Sequence, residues 1–93
     1  MATELLAAGT TKASSAEFTL VAGESATLLL KGASGKTTVP LRAQLVVQAK
    51  DSGGVWRHHL AIRGVDASCV LTAVGTFRVY RPVQGAAVGI DKG

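Results

Sequence analysis

The residues from Thr38 to Ile62 constrain the fold more than any other part of the chain, because they have the pattern of a β-hairpin. In the first half, apolar and polar residues alternate with a period of two, as in a strand with one buried face. Asp51-Ser52-Gly53-Gly54 then supplies residues that tolerate the positive φ angles of a tight turn. The segment is therefore predicted to be two antiparallel strands. The apolar positions of its first strand are Val39, Leu41, Ala43, Leu45, Val47 and Ala49.

The second predicted strand, Val55 to Ile62, has large apolar side chains at even positions. A two- or four-residue turn brings them opposite the apolar positions of the first strand, so that both sets face the core. This register makes Trp56 a core residue. The predicted pairs are Ala49 with Trp56, Leu45 with Leu60 and Ala43 with Ile62.

The chain from residue 17 onward contains five further predicted strands, separated by turns, and no predicted helix. Seven short strands at regular intervals predict an all-β fold, an antiparallel β-sandwich of the immunoglobulin-like or jelly-roll-like kind. The terminal strands of this domain, Glu17–Ala22 and Ala86–Ile90, are predicted to be exposed sheet edges. Residues 1–16 are small and polar without a period, and we expect an extended N-terminal arm outside a single domain at 17–93.

The composition places the chain among globular proteins. Hydrophobic residues make up 47% of it, which excludes a disordered protein. The single cysteine, Cys69, permits no intrachain disulfide, so no oxidising compartment is required. No apolar run approaches the roughly 20 residues that span a bilayer, and Glu4 stands where a signal peptide carries basic residues. We therefore expect a soluble protein, made in the cytoplasm, with no membrane partner.

The net charge of +4 is distributed unevenly along the chain. The first 24 residues hold three glutamates and one lysine, whereas nine lysines and arginines against three aspartates follow from Lys31 onward. This asymmetry suits an acidic partner surface, or self-association of an acidic end with a basic face. Nucleic acid is not an expected partner, because the basic residues are spread along strands and lack interleaved aromatic residues.

The segment Gly32–Thr37 ends like a phosphate-binding P-loop, but the rest of that motif is missing. A P-loop needs another glycine where this chain has Leu30, and a helix after the threonine so that backbone amides converge on phosphate. Thr38-Val39-Pro40 follows instead, which favours extended structure. We expect an ordinary Gly/Ser-rich hairpin loop and no nucleotide cofactor.

The pair His58-His59 and the lone Cys69 are the remaining candidates for chemistry. Consecutive strand residues point to opposite faces, so the two histidines cannot bind one metal ion together; His58 is predicted to face the core and His59 the solvent. Cys69 lies in an apolar strand without a neighbouring base, where it is expected to fill space. Neither feature predicts a metal site or an enzyme.

Several short segments resemble a known class of protein. The run Gly75–Pro82, followed by Val88–Asp91, is similar to the C-terminal part of small virion structural proteins of tailed bacteriophages. Gly23–Leu28 and the turn Ser52–Trp56 are similar to the same class, so the resemblance extends over residues 17–91. Those proteins are β-sandwiches or immunoglobulin-like modules that decorate capsids or build fibres and tails. The chain lacks the paired cysteines and corner tyrosine of true immunoglobulin domains.

The resemblance implies a non-catalytic bacteriophage virion protein, in the first place a capsid decoration (cement) protein that binds and stabilises the head lattice. A fibre or tail component is the near variant, and a freestanding carbohydrate- or protein-binding β-module is the alternative. Expected partners are the major capsid protein or other virion subunits and further copies of the chain, with the predicted arm reaching over a neighbour. The residues expected at these interfaces are Glu4, Leu5, Leu6, Phe18, Leu20, Tyr80, Val88 and Ile90.

Overall fold

The strands of this protein form two antiparallel sheets that pack face to face around one apolar core. The computed structural model describes residues 3–32, 42–64 and 68–93. The strands within these ranges are β1 Thr3–Gly9, β2 Ala13–Ser14, β3 Phe18–Leu20, β4 Ala26–Lys31, β5 Gln44–Lys50, β6 Trp56–Arg63, β7 Ser68–Leu71, β8 Gly75–Arg81 and β9 Val88–Lys92. The prediction of an all-β antiparallel sandwich is confirmed, with nine described strands rather than about seven.

The first sheet has the strand order β1-β9-β4-β7, and the second has the order β2-β8-β5-β6 with β3 also paired to β8. No helix that could cross a membrane is present in the three described ranges. Among the described strands, β3 pairs with β8 alone and is therefore at an edge, as predicted for the segment beginning at Glu17. The other edge prediction is wrong, because β9 lies between β1 and β4 and its backbone is paired on both sides.

The core is built from alternate residues of the two sheets, and most of its side chains are aliphatic. Alternation with a period of two gives each strand one inward face. Phe77 on β8 is the largest fully buried side chain. The buried hydrophobic residues are Leu20, Ala26, Leu28, Leu30, Ala43, Leu45, Val47, Ile62, Leu71, Phe77, Val79, Val88 and Ile90.

The predicted hairpin is present as β5 and β6, but its register differs from the prediction. Lys50 pairs with Trp56, so the connection has five residues rather than two or four. Asp51 Oδ1 accepts hydrogen bonds from the backbone amides of Gly53 and Val55, each at 2.9 Å, and Gly54 has a φ of 80°. The one additional residue in this turn moves Trp56 from the inner to the outer face of the second sheet.

A β-bulge then reverses this offset. The pairing of Val47 with Leu60 is followed by that of Gln48 with His58, which leaves His59 as the extra residue of β6. Beyond the bulge, Leu45 pairs with Ile62 and both side chains are buried. The apolar residues at the far end of β6 therefore face the core as predicted, while Trp56 does not.

The segment 1–16, predicted to be an arm outside the domain, instead contributes two strands to the sandwich. Strand β1 pairs with β9, and β2 pairs with β8. The β1 backbone passes directly over Gly89, where a Cβ atom would lie 2.5 Å from the carbonyl oxygen of Leu6. Only glycine admits that approach. The backbone of this segment thus packs closely on β9 at Gly89, which the absence of periodicity in the sequence did not reveal.

Arg81 fastens this N-terminal segment to the rest of the sandwich. Its side chain is buried between the sheets and donates hydrogen bonds to three backbone carbonyl oxygens: Thr11 at 2.7 Å, Ala7 at 2.7 Å and Val88 at 2.9 Å. A guanidinium remains charged in proteins, so its burial requires such partners. Two of the bonds join β8 of the second sheet to β1 and β9 of the first, and the bond to Thr11 holds the connection between β1 and β2.

Candidate functional site

The outer face of the second sheet carries the most distinctive group of exposed side chains. On β5, Leu45 and Val47 point inward, so Gln48 and Lys50 belong to the outer face with their partners His58 and Trp56. Trp56 is only half-buried there. The prediction that Trp56 lies in the core is therefore wrong, because the turn contains one residue more than the hairpin pattern indicated.

Two cations lie over the Trp56 ring. The Arg78 Cζ atom is 4.5 Å from a ring centroid, and the Lys50 Nζ atom is 5.7 Å from one. Both distances fall within the range of about 6 Å in which a cation is attracted to the ring quadrupole. We refer to Arg78, Trp56 and Lys50 as the cationic cluster.

Arg78 is held in place from a second direction. Its Nε atom donates a 2.7 Å hydrogen bond to Oε1 of Gln48, the residue directly opposite on β5. Among the described residues, the two terminal nitrogens of Arg78 make no hydrogen bond. These nitrogens form a planar fork that matches the two oxygens of a carboxylate or phosphate. The geometry therefore orients an anion-binding group before any ligand arrives.

The surroundings of the cationic cluster are predominantly positive. Lys50 forms an ion pair with Glu17 at 3.8 Å, and both of these side chains are substantially exposed. Such a long, exposed ion pair contributes about 0–1 kcal/mol and is easily replaced by another anion. The adjacent Asp51 is instead paired with Arg57 at 3.0 Å.

The two histidines lie in orientations opposite to those predicted. His58 pairs with Gln48 on the outer face, whereas His59 occupies the bulge, and its ring lies 5.4 Å from that of Phe77. Both residues are exposed. Within the described residues, no group of three or more His, Cys, Asp or Glu side chains is placed to bind a metal ion.

The other candidates for chemistry have simple surroundings. Cys69 on β7 is half-buried and packs against the core, and this burial raises the pKa of its thiol. A raised pKa disfavours the thiolate, which is the reactive form. Gly32 of the P-loop-like segment is buried, and the remainder of that segment, residues 33–37, lies outside the described ranges.

The eight residues predicted to form interfaces occupy different environments. Leu20, Val88 and Ile90 are buried in the chain's own core, so their side chains are already covered without a partner. Leu5 and Leu6 on β1 pack against the same core and are half-buried. They therefore have packing partners within the chain, and the expectation that they also cover a neighbouring subunit stays a prediction.

The other three residues keep exposed surface. Phe18 packs against Phe77 with ring centroids 6.0 Å apart and is half-buried. Tyr80 lies on the outer face of the second sheet opposite Val46, in agreement with its predicted outward orientation. Glu4 is exposed on β1. The eight residues therefore do not form one surface.

Glu4 belongs to a separate charged group on the first sheet. The Lys31 ammonium lies 2.5 Å from a carboxylate oxygen of Glu4 and 2.8 Å from one of Asp91. Hydrogen bonds to Asp91 and then Glu4 raise the pKa of Lys31. One ammonium thus contacts two carboxylates, so this group differs in sign from the cationic cluster.

The sequence contained signals for the cationic cluster that the prediction did not use. Lys50 and Trp56 border the turn, and Arg78 alternates with the apolar residues Phe77 and Val79. Their proximity depends on the pairing of β5 with both β6 and β8.

Comparison of the chain with protein families, curated proteins and solved structures gives no match.

Proposed function

We propose that the chain is a non-catalytic structural protein of a tailed-bacteriophage virion, and specifically a capsid decoration protein that binds and stabilises the head lattice. The sequence resemblance over residues 17–91 is the basis for the class of protein. A β-sandwich whose N-terminal strands β1 and β2 are paired with the rest of its sheets suits this role. A rigid subunit of this kind loses little conformational entropy when it docks.

The proposal is supported chiefly by the side chains on the outer face of the second sheet. This face is a continuous β-sheet surface on which Trp56, Arg78 and Lys50 are exposed or half-exposed together. Tryptophan and arginine are enriched among the residues that dominate protein–protein binding energy. A sheet face of this kind can bind another protein surface, and many weak contacts on a lattice add up to stable attachment.

The decisive experiment measures binding to capsids of the same phage assembled without this chain. Purified protein is mixed with the capsids, the mixture is sedimented, and the bound copies are counted as the protein concentration rises. We expect saturation at a fixed number of copies and a higher temperature of capsid disruption. Background sedimentation without saturation, and an unchanged disruption temperature, would refute the decoration role.

A freestanding binding module is the second candidate, and the orientation of Trp56 favours it more than the sequence did. Tryptophan is enriched at binding interfaces, and this side chain lies on an outer face. This alternative would be supported if the chain bound an oligosaccharide saturably and did not bind capsids. A fibre or tail component would instead sediment with tails and not with empty heads.

A further inference from the structure

We propose that the cationic cluster is a carboxylate-binding site that docks an acidic segment of a partner protein. The proposed function supplies the identity of the partner, a virion subunit, but the site is defined by residues of this chain alone. The inference therefore adds the chemistry and the location of docking to the decoration role.

The first argument is the preorganisation of Arg78. The side chain of a free arginine must lose considerable rotational freedom before it can bind an anion. Here the Nε atom is already bonded to Gln48 at 2.7 Å, and the guanidinium lies 4.5 Å from a ring centroid of Trp56. The terminal nitrogens can then donate two parallel hydrogen bonds to one carboxylate, which is the strongest arrangement for this pair.

The second argument is the local electrostatics. Lys50 lies over the same indole and provides a second positive charge. The apolar ring excludes water from one side of both cations, so their attraction for an anion is screened less than in bulk solvent. The competing acid, Glu17, is 3.8 Å from Lys50 and substantially exposed, which makes it easy to displace.

The third argument concerns the class of polyanion. Single-stranded nucleic acid is held by stacking of its bases on open aromatic faces, together with contacts to a row of phosphates. Arg78 already lies over the Trp56 ring, so the face that it covers is not open to a base. A carboxylate needs only the outer edge of the guanidinium. The geometry therefore favours an acidic protein segment over nucleic acid.

The test uses the full chain and an octaglutamate peptide as the probe. Trp56 is the only tryptophan in the chain, so its fluorescence reports binding at the cluster directly. We expect saturable quenching or enhancement by the peptide, and a roughly tenfold weaker affinity after Arg78→Gln. Arg78→Lys should give an intermediate affinity, because it retains the charge but not the fork.

The matched control is Arg42→Gln, which removes the same charge from an exposed residue near the opposite end of β5. We expect it to change the affinity less than about twofold, because exposed charges at that distance are screened by salt. Far-UV circular dichroism and urea titration of each variant confirm that it is folded. Equal losses in Arg42→Gln and Arg78→Gln would overturn the proposal, since general charge alone would then explain binding.

A second probe distinguishes the classes of partner. An oligothymidylate with the same number of negative charges is titrated under the same conditions, and we expect it to bind more weakly than the peptide. Tighter binding of the oligonucleotide that also depends on Arg78 would overturn the proposal in favour of nucleic acid. If Arg78→Gln loses peptide binding but saturates capsids like the wild type, docking through this face is refuted while the decoration role stands.

Discussion

Replacement of Arg81 by methionine tests whether this buried arginine fastens the N-terminal segment. The change removes hydrogen bonds to Thr11, Ala7 and Val88 while retaining a side chain of similar length. A hydrogen bond from a charged donor contributes about 1.5–3 kcal/mol, and the bond to Val88 is buried. The other two are partly buried, so water can replace the guanidinium there and we count each at about 1 kcal/mol.

The sum of these contributions to the free energy of unfolding is about 4 kcal/mol, and apolar burial of the methionine offsets about 1 kcal/mol of it. We therefore expect Arg81→Met to lower the free energy of unfolding by about 3 kcal/mol. A domain of this size has a total stability of about 5–14 kcal/mol, so the variant should remain measurable. The loss should be accompanied by faster amide hydrogen exchange in β1 than in β5, because β1 is the strand that is released.

Urea denaturation of wild type and variant gives the stability difference, and Arg63→Met is the matched control. Arg63 is exposed on β6, so the same change there should remain within about 0.5 kcal/mol. If Arg81→Met and Arg63→Met have equal effects, the three carbonyl contacts do not fasten the segment. Uniform exchange in β1 and β5 would lead to the same conclusion.

Three further predictions concern the core, the close approach at Gly89 and the turn. Leu45→Ala should cost about 2–5 kcal/mol in urea melts, because Leu45 is fully buried; a loss below about 0.5 kcal/mol would place it outside the core. Gly89→Ala should cost at least about 1–3 kcal/mol by the same assay, because its Cβ would meet the Leu6 carbonyl; an unchanged midpoint would contradict this packing. The amide of Val55, followed by Arg57, lowers the pKa of Asp51 below its ordinary 3.8. The ionised Asp51 therefore stabilises the fold above pH 3.8, and this effect is lost as the pH falls through its folded pKa. Asp51→Ala should shift the urea midpoint at pH 7 and shift it less at pH 2. Equal shifts at the two pH values would refute this.

The parts of the fold that could be predicted from sequence are those determined by local patterns. Alternation marked the inward face of β5, and Asp51–Gly54 marked the turn. The exact length of the turn was not predictable, because Asp51 binds the amides of both Gly53 and Val55 and so extends the loop by one residue. The position of Trp56, and with it the cationic cluster, follows from that single residue.

The N-terminal strands could not be predicted for a different reason. Residues 3–14 have no apolar period, and their strand structure depends on contacts distant in sequence. Gly89 provides the space beneath β1, and Arg81 provides donors for its carbonyl oxygens. Neither residue is near this segment in the chain, so the local sequence pattern predicted an arm instead of strands.

The pairing of β1 with β9 has a consequence for the order of folding during synthesis. Thr3 pairs with Lys92, so β1 receives its partner only after the other described strands have been made. Contacts of such long sequence separation close slowly. Until then Leu5 and Leu6 lack the surface on which they pack, which leaves apolar side chains available to other nascent chains. A folding assay on ribosome-bound chains would therefore detect protection of β5 and β6 well before protection of β1.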